Sequence, residues 1–552
     1  MMDGSFVQER RSQLTCTAFS HAPAEILLTT TAGGRPLVQR GKKRLAISAA
    51  KPLNDRRSFK EAKRKSMNAP QMNTINADAE ISMKSALEAQ RNSYLSEGMV
   101  SATTRIDRID RVIDALVRHS ETISKAMNED FGCRPRQVNL MTDVSGSIGC
   151  LKHCRQHLKS WMKQEKRPSM FPLNLLGGRS TIEYQPKGVV GILSPWNFPL
   201  GMALEPLAGV FAAGNRAMIK PSEFTPATSA VISEMVTEAF DPVELAVFTG
   251  GPEVGQAFSS LAFDHMIFTG ATSIARHVMG AAARNLVPVT LELGGKSPVV
   301  ISRDVDLTQA VQRIMVGKLL NSGQACITPD YVMVPEEQLD KVIHQATIAV
   351  KAMYPSLLNN EQYTAVVNDR HYQRLTGYLA DANERAIRTV AINPAKENFE
   401  SNPNQKIPPT LIINPPDEAS CMENEIFGPL LPIKTYKTFE ETIAYINSKP
   451  RPLAAYYFGN DQAEEKRFLT GTTSGGVSIN DVMFHMLQKD LPFGGIGPSG
   501  MGAYHGIEGF RTFSHAKSVY RQTKKFNVAK LAGLLPPYGD TTEKSIRSQI
   551  KR

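Results

Sequence analysis

The chain has 552 residues, 41% hydrophobic and 21% charged, a balance that suits large apolar cores and excludes a disordered chain. Six cysteines, at positions 16, 133, 150, 154, 326 and 421, exclude a disulfide-built scaffold and point to a reducing compartment, the cytoplasm. The net charge of +11 suggests a nucleic-acid partner, but residues 1–66 hold 14 Lys and Arg against 5 Asp and Glu, so the body is nearly neutral and no such partner is expected.

No uncharged apolar run approaches the ~18 residues that a membrane span needs. Residues 1–77 read as a basic leader: disordered, a targeting segment, or the product of a start placed too early, since Met67 and Met72 follow. From Asp78 the apolar spacing turns helical. Residues 105–132 repeat apolar positions every three or four residues and stop at Gly132. Residues 144–165 read as a second amphipathic helix carrying Cys150, His153, Cys154 and His157. Structural zinc sites usually draw their ligands from two elements, so helix packing is expected there and no metal.

A Pro- and Gly-rich stretch leads into "TIEYQPKG" (181–188), an extended ribbon, and strand and helix alternate from there. Residues 188–195 are an apolar, β-branched run. Residues 200–214 are helical and close on Gly214. A short strand begins at 216, and 225–240 open on Thr225 as N-cap with Pro226 in the first turn. "LAVFTGG" and "HMIFTG" add strands, and a second block from 296 to 485 repeats the rhythm in "SPVVIS" and "YVMVP". This alternation predicts an α/β fold with doubly wound, Rossmann-type parallel sheets, which hold ligands at the carboxyl ends of their strands.

The loops between these elements carry the chemistry. In "SPWNFP" (194–199) Trp196 reads as core packing, while the Asn197 amide is a neutral donor suited to a developing oxyanion. Lys220 and Glu223 could take ribose or phosphate oxygens; a surface ion pair would look the same. "FTGATSIA" (268–275) offers Gly270 and a helix start that favours an anion, without the G-x-G-x-x-G pattern. Glu292 sits in an apolar run, where burial would raise its pKa toward that of a general base. Gly294 and Gly295 beside it allow another group to approach. Cys326 lies in "NSGQACITPD" (321–330). A thiol, a base and two donors, Asn197 and the Cys326 backbone, describe acyl-thioester chemistry, and a dinucleotide beside them would make it oxidative.

Together, "SPWNFP", "AAGNRAMIKPSE", "FTGATSIA", "LELGGKSP", "GQACITPD", "EIFGPLLP" (425–432) and "LPFGGIGPSGMGAYHG" (491–506) resemble the aldehyde dehydrogenase superfamily, in its order and spacing, from about residue 80 to 526. "GQACITPDYV" and the "LLPPYGD" tail are similar to the class 3 branch and, within it, to the coniferyl aldehyde group. The resemblance implies that Cys326 is the nucleophile, Glu292 the base for the hydrolytic water and Asn197 the oxyanion donor. It sets Lys220 and Glu223 on the adenosine ribose, Trp196, Gly250, Gly270 and Ser273 along the cofactor, and Glu425 and Phe427 on the nicotinamide end. Ala275 stands where the family often has glycine, which implies less room near the pyrophosphate.

The cofactor implied is NAD or NADP, with NAD favoured because Glu223 should repel a 2′-phosphate. The implied plan is a dinucleotide-binding domain (78–175 and 187–294), a catalytic domain (295–487), an oligomerisation ribbon with its return segment (176–186 and 488–526) and a C-terminal tail (527–552). A homodimer or higher homo-oligomer is expected. The expected reaction is oxidation of an aldehyde, coniferyl aldehyde to ferulate, with a fatty or medium-chain aldehyde as the alternative. Glu292 argues against transfer to coenzyme A, and Cys326 with Glu292 against a non-catalytic binding relative. Met202, Phe484 and His485 are expected to wall the substrate pocket.

Overall fold

Local signals set the longest helix among the described residues. It runs Ala102–Phe131; Ser101 accepts the Thr104 N–H as its N-cap, and Gly132, at φ 69°, ends it in the left-handed conformation. The computed structural model describes residues 77–550 except Pro172, Glu400, Ser401, Pro403 and Ala532; the expected leader, but for residue 77, lies outside the described residues. The next helix, Gly146–Trp161, turns Cys150, Cys154 and Leu158 inward. His153 packs tilted against His157 with ring centroids 4.4 Å apart, and His157 stacks on Trp161 at 5.6 Å.

Six strands form the first sheet, in the order Gly500–Met501, Val289–Glu292, His265–Thr269, Val189–Leu193, Arg216–Lys220 and Leu245–Val247. All run parallel except Gly500–Met501. Val189–Leu193 and Arg216–Lys220 are buried along their whole length, as expected for parallel strands covered on both faces. A seven-stranded sheet follows, ordered Thr389–Ala391, Thr410–Ile413, Leu430–Tyr436, Tyr331–Pro335, Pro298–Ile301, Ala454–Phe458 and Gly476–Ile479, parallel but for the outer Thr389–Ala391. One hydrophobic cluster joins the two, from Ile109 and Leu116 through Leu204 and Ile192 to Val299 and Val332.

One local expectation is corrected. The helix Pro226–Ala239 does begin after Thr225, but the Thr225 side chain does not cap it. Asp130, at the end of the 102–131 helix, accepts the Ala227 and Thr228 N–H groups at 2.9 and 2.8 Å. A carboxylate is the stronger acceptor at the positive end of a helix. In the third sheet, Arg179–Pro186 lies between Glu165–Arg167 and Ser514–Arg521, all antiparallel. Of the 488–526 segment only Ser514–Arg521 joins this ribbon. Gly500–Met501 pairs into the first sheet, and Gly506–Thr512 is a helix laid on Gly201–Ala213, where Gly209 and Gly509 permit close backbone contact. Among the described residues no helix is long and apolar enough to cross a membrane.

Candidate active site

Strand register assembles the first half of the site. Leu193 pairs with Lys220 and with Phe268, and Thr269 pairs with Glu292, so four neighbouring strands end together. The loops beyond them carry Trp196 and Asn197, Glu223, Gly270 and Ser273, and Gly294 and Gly295. The seven-stranded sheet contributes its other edge. Lys296, Asp330 and Phe427 stand just ahead of the parallel neighbours Pro298–Ile301, Tyr331–Pro335 and Leu430–Tyr436. The first sheet follows the carboxyl-end rule and the second offers amino ends, a distinction that strand periodicity does not carry.

Cys326 lies on a loop braced by buried amides. Asn321 and Ser322 both take a left-handed φ of 51°, a strained conformation for residues with a Cβ. Gln324 fixes this turn: its amide donates to the carbonyls of Asn321 at 3.0 Å and Ala365 at 2.9 Å, and accepts the Val367 N–H at 3.0 Å. Asn197 Nδ2 donates to the Gln324 carbonyl at 3.2 Å, and Asn321 Nδ2 donates to the Asn197 carbonyl at 3.0 Å. The expected oxyanion donor and the nucleophile loop therefore share one network. Lys318, wholly buried, donates to the Pro329 carbonyl at 3.0 Å, and burial lowers its amine to about 7. Gln324 and Lys318 are positioning residues that sequence reading misses, because nothing in their spacing tells a buried brace from a surface side chain.

Burial pushes the Cys326 thiol up to about 12, and the charges of Glu425 and Glu292 add to it; the Cys326 and Ile327 backbone N–H groups pull the other way. Glu292 is 2% exposed and neither carboxyl oxygen has a hydrogen-bond partner, so burial raises its pKa well above the ordinary range. Burial first, and Asp330 second, raise Glu425 to about 8. Burial therefore favours the neutral form of both Cys326 and Glu292.

Asp330, in the cysteine loop, anchors a second segment. Its Oδ2 accepts the Ile426 N–H at 2.8 Å and its Oδ1 pairs with Lys296, which also donates to the carbonyls of Cys421 and Asn424 at 2.8 and 2.9 Å. Arg374 donates to the carbonyls of Ile426 at 2.7 Å and Phe427 at 3.3 Å. These bonds hold Phe427 at φ 46°, its ring edge-on to Trp196 with centroids 5.4 Å apart. Trp196 also packs on Phe131 and His371, so its ring is held between these two and Phe427.

A cavity of about 810 Å³ opens along the first sheet, lined by Pro221, Glu223, Pro226, Ser229, Thr249 and Gly250 among others. Lys220 Nζ pairs with Glu223 Oε2 at 2.8 Å at its edge. The helix Thr272–Ala283 has no side-chain cap, which leaves the N–H groups of Thr272 and Ser273 to meet an anion; Ala275 is buried a turn further on. The Gly270 N–H donates to the Glu292 carbonyl at 3.0 Å and ties this loop to the strand of the base. A side chain at Gly294 would collide with the Glu425 carboxyl. A carboxylate for ribose, an uncapped helix for phosphate and an aromatic wall near Cys326 fit a dinucleotide.

A second cavity, of about 550 Å³, contains Cys326 and is walled by Met202, Phe484, Phe198, Val316, Met483 and Phe493 among others. His485 is not part of that wall. Its Nδ1 lies 2.9 Å from Ser478 Oγ, and its ring packs between Tyr456 and Phe493.

The same architecture recurs in known proteins. The aldehyde dehydrogenase family profile matches residues 58–519. A protein named probable coniferyl aldehyde dehydrogenase from Caulobacter vibrioides is 54% identical over 487 residues, 88% of this chain and 100% of that one. A coniferyl aldehyde dehydrogenase from a Pseudomonas species is 51% identical over 83% of this chain and 94% of its own length. Among solved structures, substrate-bound Staphylococcus aureus AldH has a TM-score of 0.79 at 34% identity, covering 85% of this chain and 99% of that one. A Mycobacterium tuberculosis aldehyde dehydrogenase complexed with NAD+ has a TM-score of 0.73 at 27% identity, over 81% and 92% of the two chains. The chain belongs to the aldehyde dehydrogenase family, and its reaction is the NAD(P)-dependent oxidation of an aldehyde.

Proposed function

We propose that the aldehyde is coniferyl aldehyde, oxidised to ferulate. The observation that carries this reading is the cavity at Cys326, whose wall includes Phe198, Phe484 and Phe493, faces suited to a conjugated ring. The names of the relatives at 54%, 51% and 44% identity point the same way. Four methionines in that wall, Met141, Met202, Met483 and Met486, favour the rival reading, a medium-chain or fatty aldehyde, since methionine adapts to alkyl chains.

In the proposed mechanism Glu292 takes the Cys326 proton and passes it to solvent, which returns Glu292 to its carboxylate, and the sulfur bonds to the aldehyde carbon. Asn197 Nδ2 and the Cys326 N–H receive the charge that gathers on the oxygen. Nicotinamide supplies the hydride acceptor when bound, on the side of the site lined by Trp196, Glu425 and Phe427. The chain's remaining task is hydrolysis. Glu292 deprotonates a water that attacks the thioester carbonyl, the C–S bond breaks, and the acid leaves with the thiol restored.

On the adenosine side, the Glu223 carboxylate favours NAD by repelling a 2′-phosphate, and Lys220 partly offsets it. Among the described residues the ribbon strand Ser514–Arg521 has a neighbour on one side only, and its open edge is the proposed seat of a homodimer. Free thiols at Cys133, Cys150, Cys154, Cys326 and Cys421 support a cytoplasmic setting. The test is cofactor reduction, followed by absorbance, with coniferaldehyde, benzaldehyde and dodecanal, each with NAD and NADP. Coniferaldehyde should give the highest kcat/KM; a preference for dodecanal would overturn the substrate and leave the reaction class intact.

A further inference from the structure

The Cys326 cavity is apolar along its walls and carries one unsatisfied carboxylate. Glu205 lines it, 5% exposed, and its Oε2 has no hydrogen-bond partner. The nearest ring nitrogen is His505 Nε2, 3.7 Å away; neither nitrogen of that buried ring has a hydrogen-bond partner either. A carboxylate with no donor in such surroundings is costly, so the site is incomplete without a donor from elsewhere.

The chain keeps room for one. Oε2 is the oxygen turned to His505; the cavity-side oxygen is Oε1, since Gly146 and Gly201 both line the cavity and a Cβ at either would fall 3.2 and 3.7 Å from it. Met202 and Glu205 are three residues apart on the helix Gly201–Ala213, so they share the face that meets the cavity. Asn197 stands just before this helix and Glu205 two turns further along. Phe198, which follows Asn197, and Glu205 both line the cavity, so the carboxylate stands apart from the oxyanion donor along one wall.

We infer that this end of the cavity is a phenol subsite, in which Glu205 accepts the hydrogen bond of a hydroxyl on the ring of the substrate. This inference rests on the phenylpropenal reading above and names what distinguishes such an aldehyde from a simple aromatic or alkyl one. An alkanal would leave Glu205 unpaired; a para-hydroxylated ring brings the missing donor to the end opposite its aldehyde. A metal ion is the competing occupant, since the ligand atoms of Cys150, Glu205 and His505 lie within 4.8 Å of one another. The Lys489 ammonium disfavours it: its Nζ lies 3.2 Å from Cys150 Sγ and places a positive charge against that cluster.

The test compares kcat/KM, with NAD, for cinnamaldehyde, 4-hydroxycinnamaldehyde, 4-methoxycinnamaldehyde and dodecanal. A hydrogen bond to a charged acceptor predicts that the unaltered protein prefers the 4-hydroxy compound over cinnamaldehyde by roughly 10- to 100-fold. The methoxy compound, which has no proton to donate, should gain nothing. In Glu205→Leu and Glu205→Gln the hydroxyl preference should shrink toward unity, most in the leucine variant, with folding followed by thermal melting. A purely structural Glu205 would change melting and leave that ratio alone. Equal rates on the hydroxylated and plain cinnamaldehydes, an undiminished preference in Glu205→Leu, or stoichiometric zinc in the purified protein would each overturn the inference while phenylpropenal oxidation stands. A preference for dodecanal over every phenylpropenal would instead overturn the substrate reading, and the inference with it.

Discussion

Asp330, four residues after Cys326, accepts the backbone N–H of Ile426 at 2.8 Å. One carboxylate therefore ties the nucleophile loop to the segment that carries Glu425 and Phe427. Asp330 is wholly buried, and its other oxygen holds Lys296. Asp330→Asn leaves Lys296 without its counter-charge, a loss of about 3–5 kcal/mol for a buried pair. The expected outcome is a lower melting temperature and a KM for NAD raised more than kcat is lowered, because the nicotinamide-side segment loosens first. Thermal melting and cofactor titration check this. A variant with altered kcat alone would place the effect at the sulfur.

Glu292 gives a prediction in pH. Its folded pKa lies well above the ordinary carboxyl value through burial alone. The folded state thus favours the neutral form, and stability is lost as pH rises from the ordinary carboxyl range toward the raised value. Glu292→Gln should melt higher than the parent at pH 8, with the difference closing toward pH 4.5. The same substitution should lower kcat by roughly 10²- to 10⁴-fold and remove the acid limb of its pH profile, as loss of a general base does. A variant both slower and more stable is the signature of a group buried for function.

The candidate reacting residues stand out in the sequence because their reasons are local. A cysteine among small residues, a glutamate in an apolar run and an asparagine at a strand end are anomalous within a few positions. The strand–helix alternation was legible for the same reason, as apolar period and caps are short-range signals. The braces were not. Gln324, Lys318 and Arg374 gain their roles from partners that a distant loop supplies, such as Ala365 for Gln324 and Ile426 for Arg374. His485 read as pocket wall because it follows Phe484, yet its ring turns toward Ser478. Asp330 looked like a mark of ancestry in "ITPD" until its partner, 96 residues away, was in view.

Asn197 tests the oxyanion assignment. Its amide spends one N–H on the Gln324 carbonyl at 3.2 Å and has a second to offer. Asn197→Ala should lower kcat by about 10²–10³-fold, the usual loss for one oxyanion donor, with little change in aldehyde KM. Pre-steady-state kinetics would show no burst of reduced cofactor if the first chemical step is the one slowed. A burst of parental size would move the defect to hydrolysis and assign Asn197 to the water instead.

Glu223 tests the proposed preference between cofactors. Its carboxylate borders the larger cleft and is paired with Lys220 at 2.8 Å. Glu223→Gln removes the negative charge that a 2′-phosphate would meet and frees the Lys220 ammonium to meet that phosphate directly. Both changes push the same way. The ratio of kcat/KM for NADP to that for NAD should rise by roughly tenfold or more, the scale of one charged contact at a partly exposed site. Steady-state kinetics with each cofactor, at fixed aldehyde and low salt, measures it. The shift should shrink as ionic strength rises, because the charges involved are only partly shielded from solvent. An unchanged ratio would place the ribose away from Glu223 and leave the ion pair with Lys220 as a structural contact.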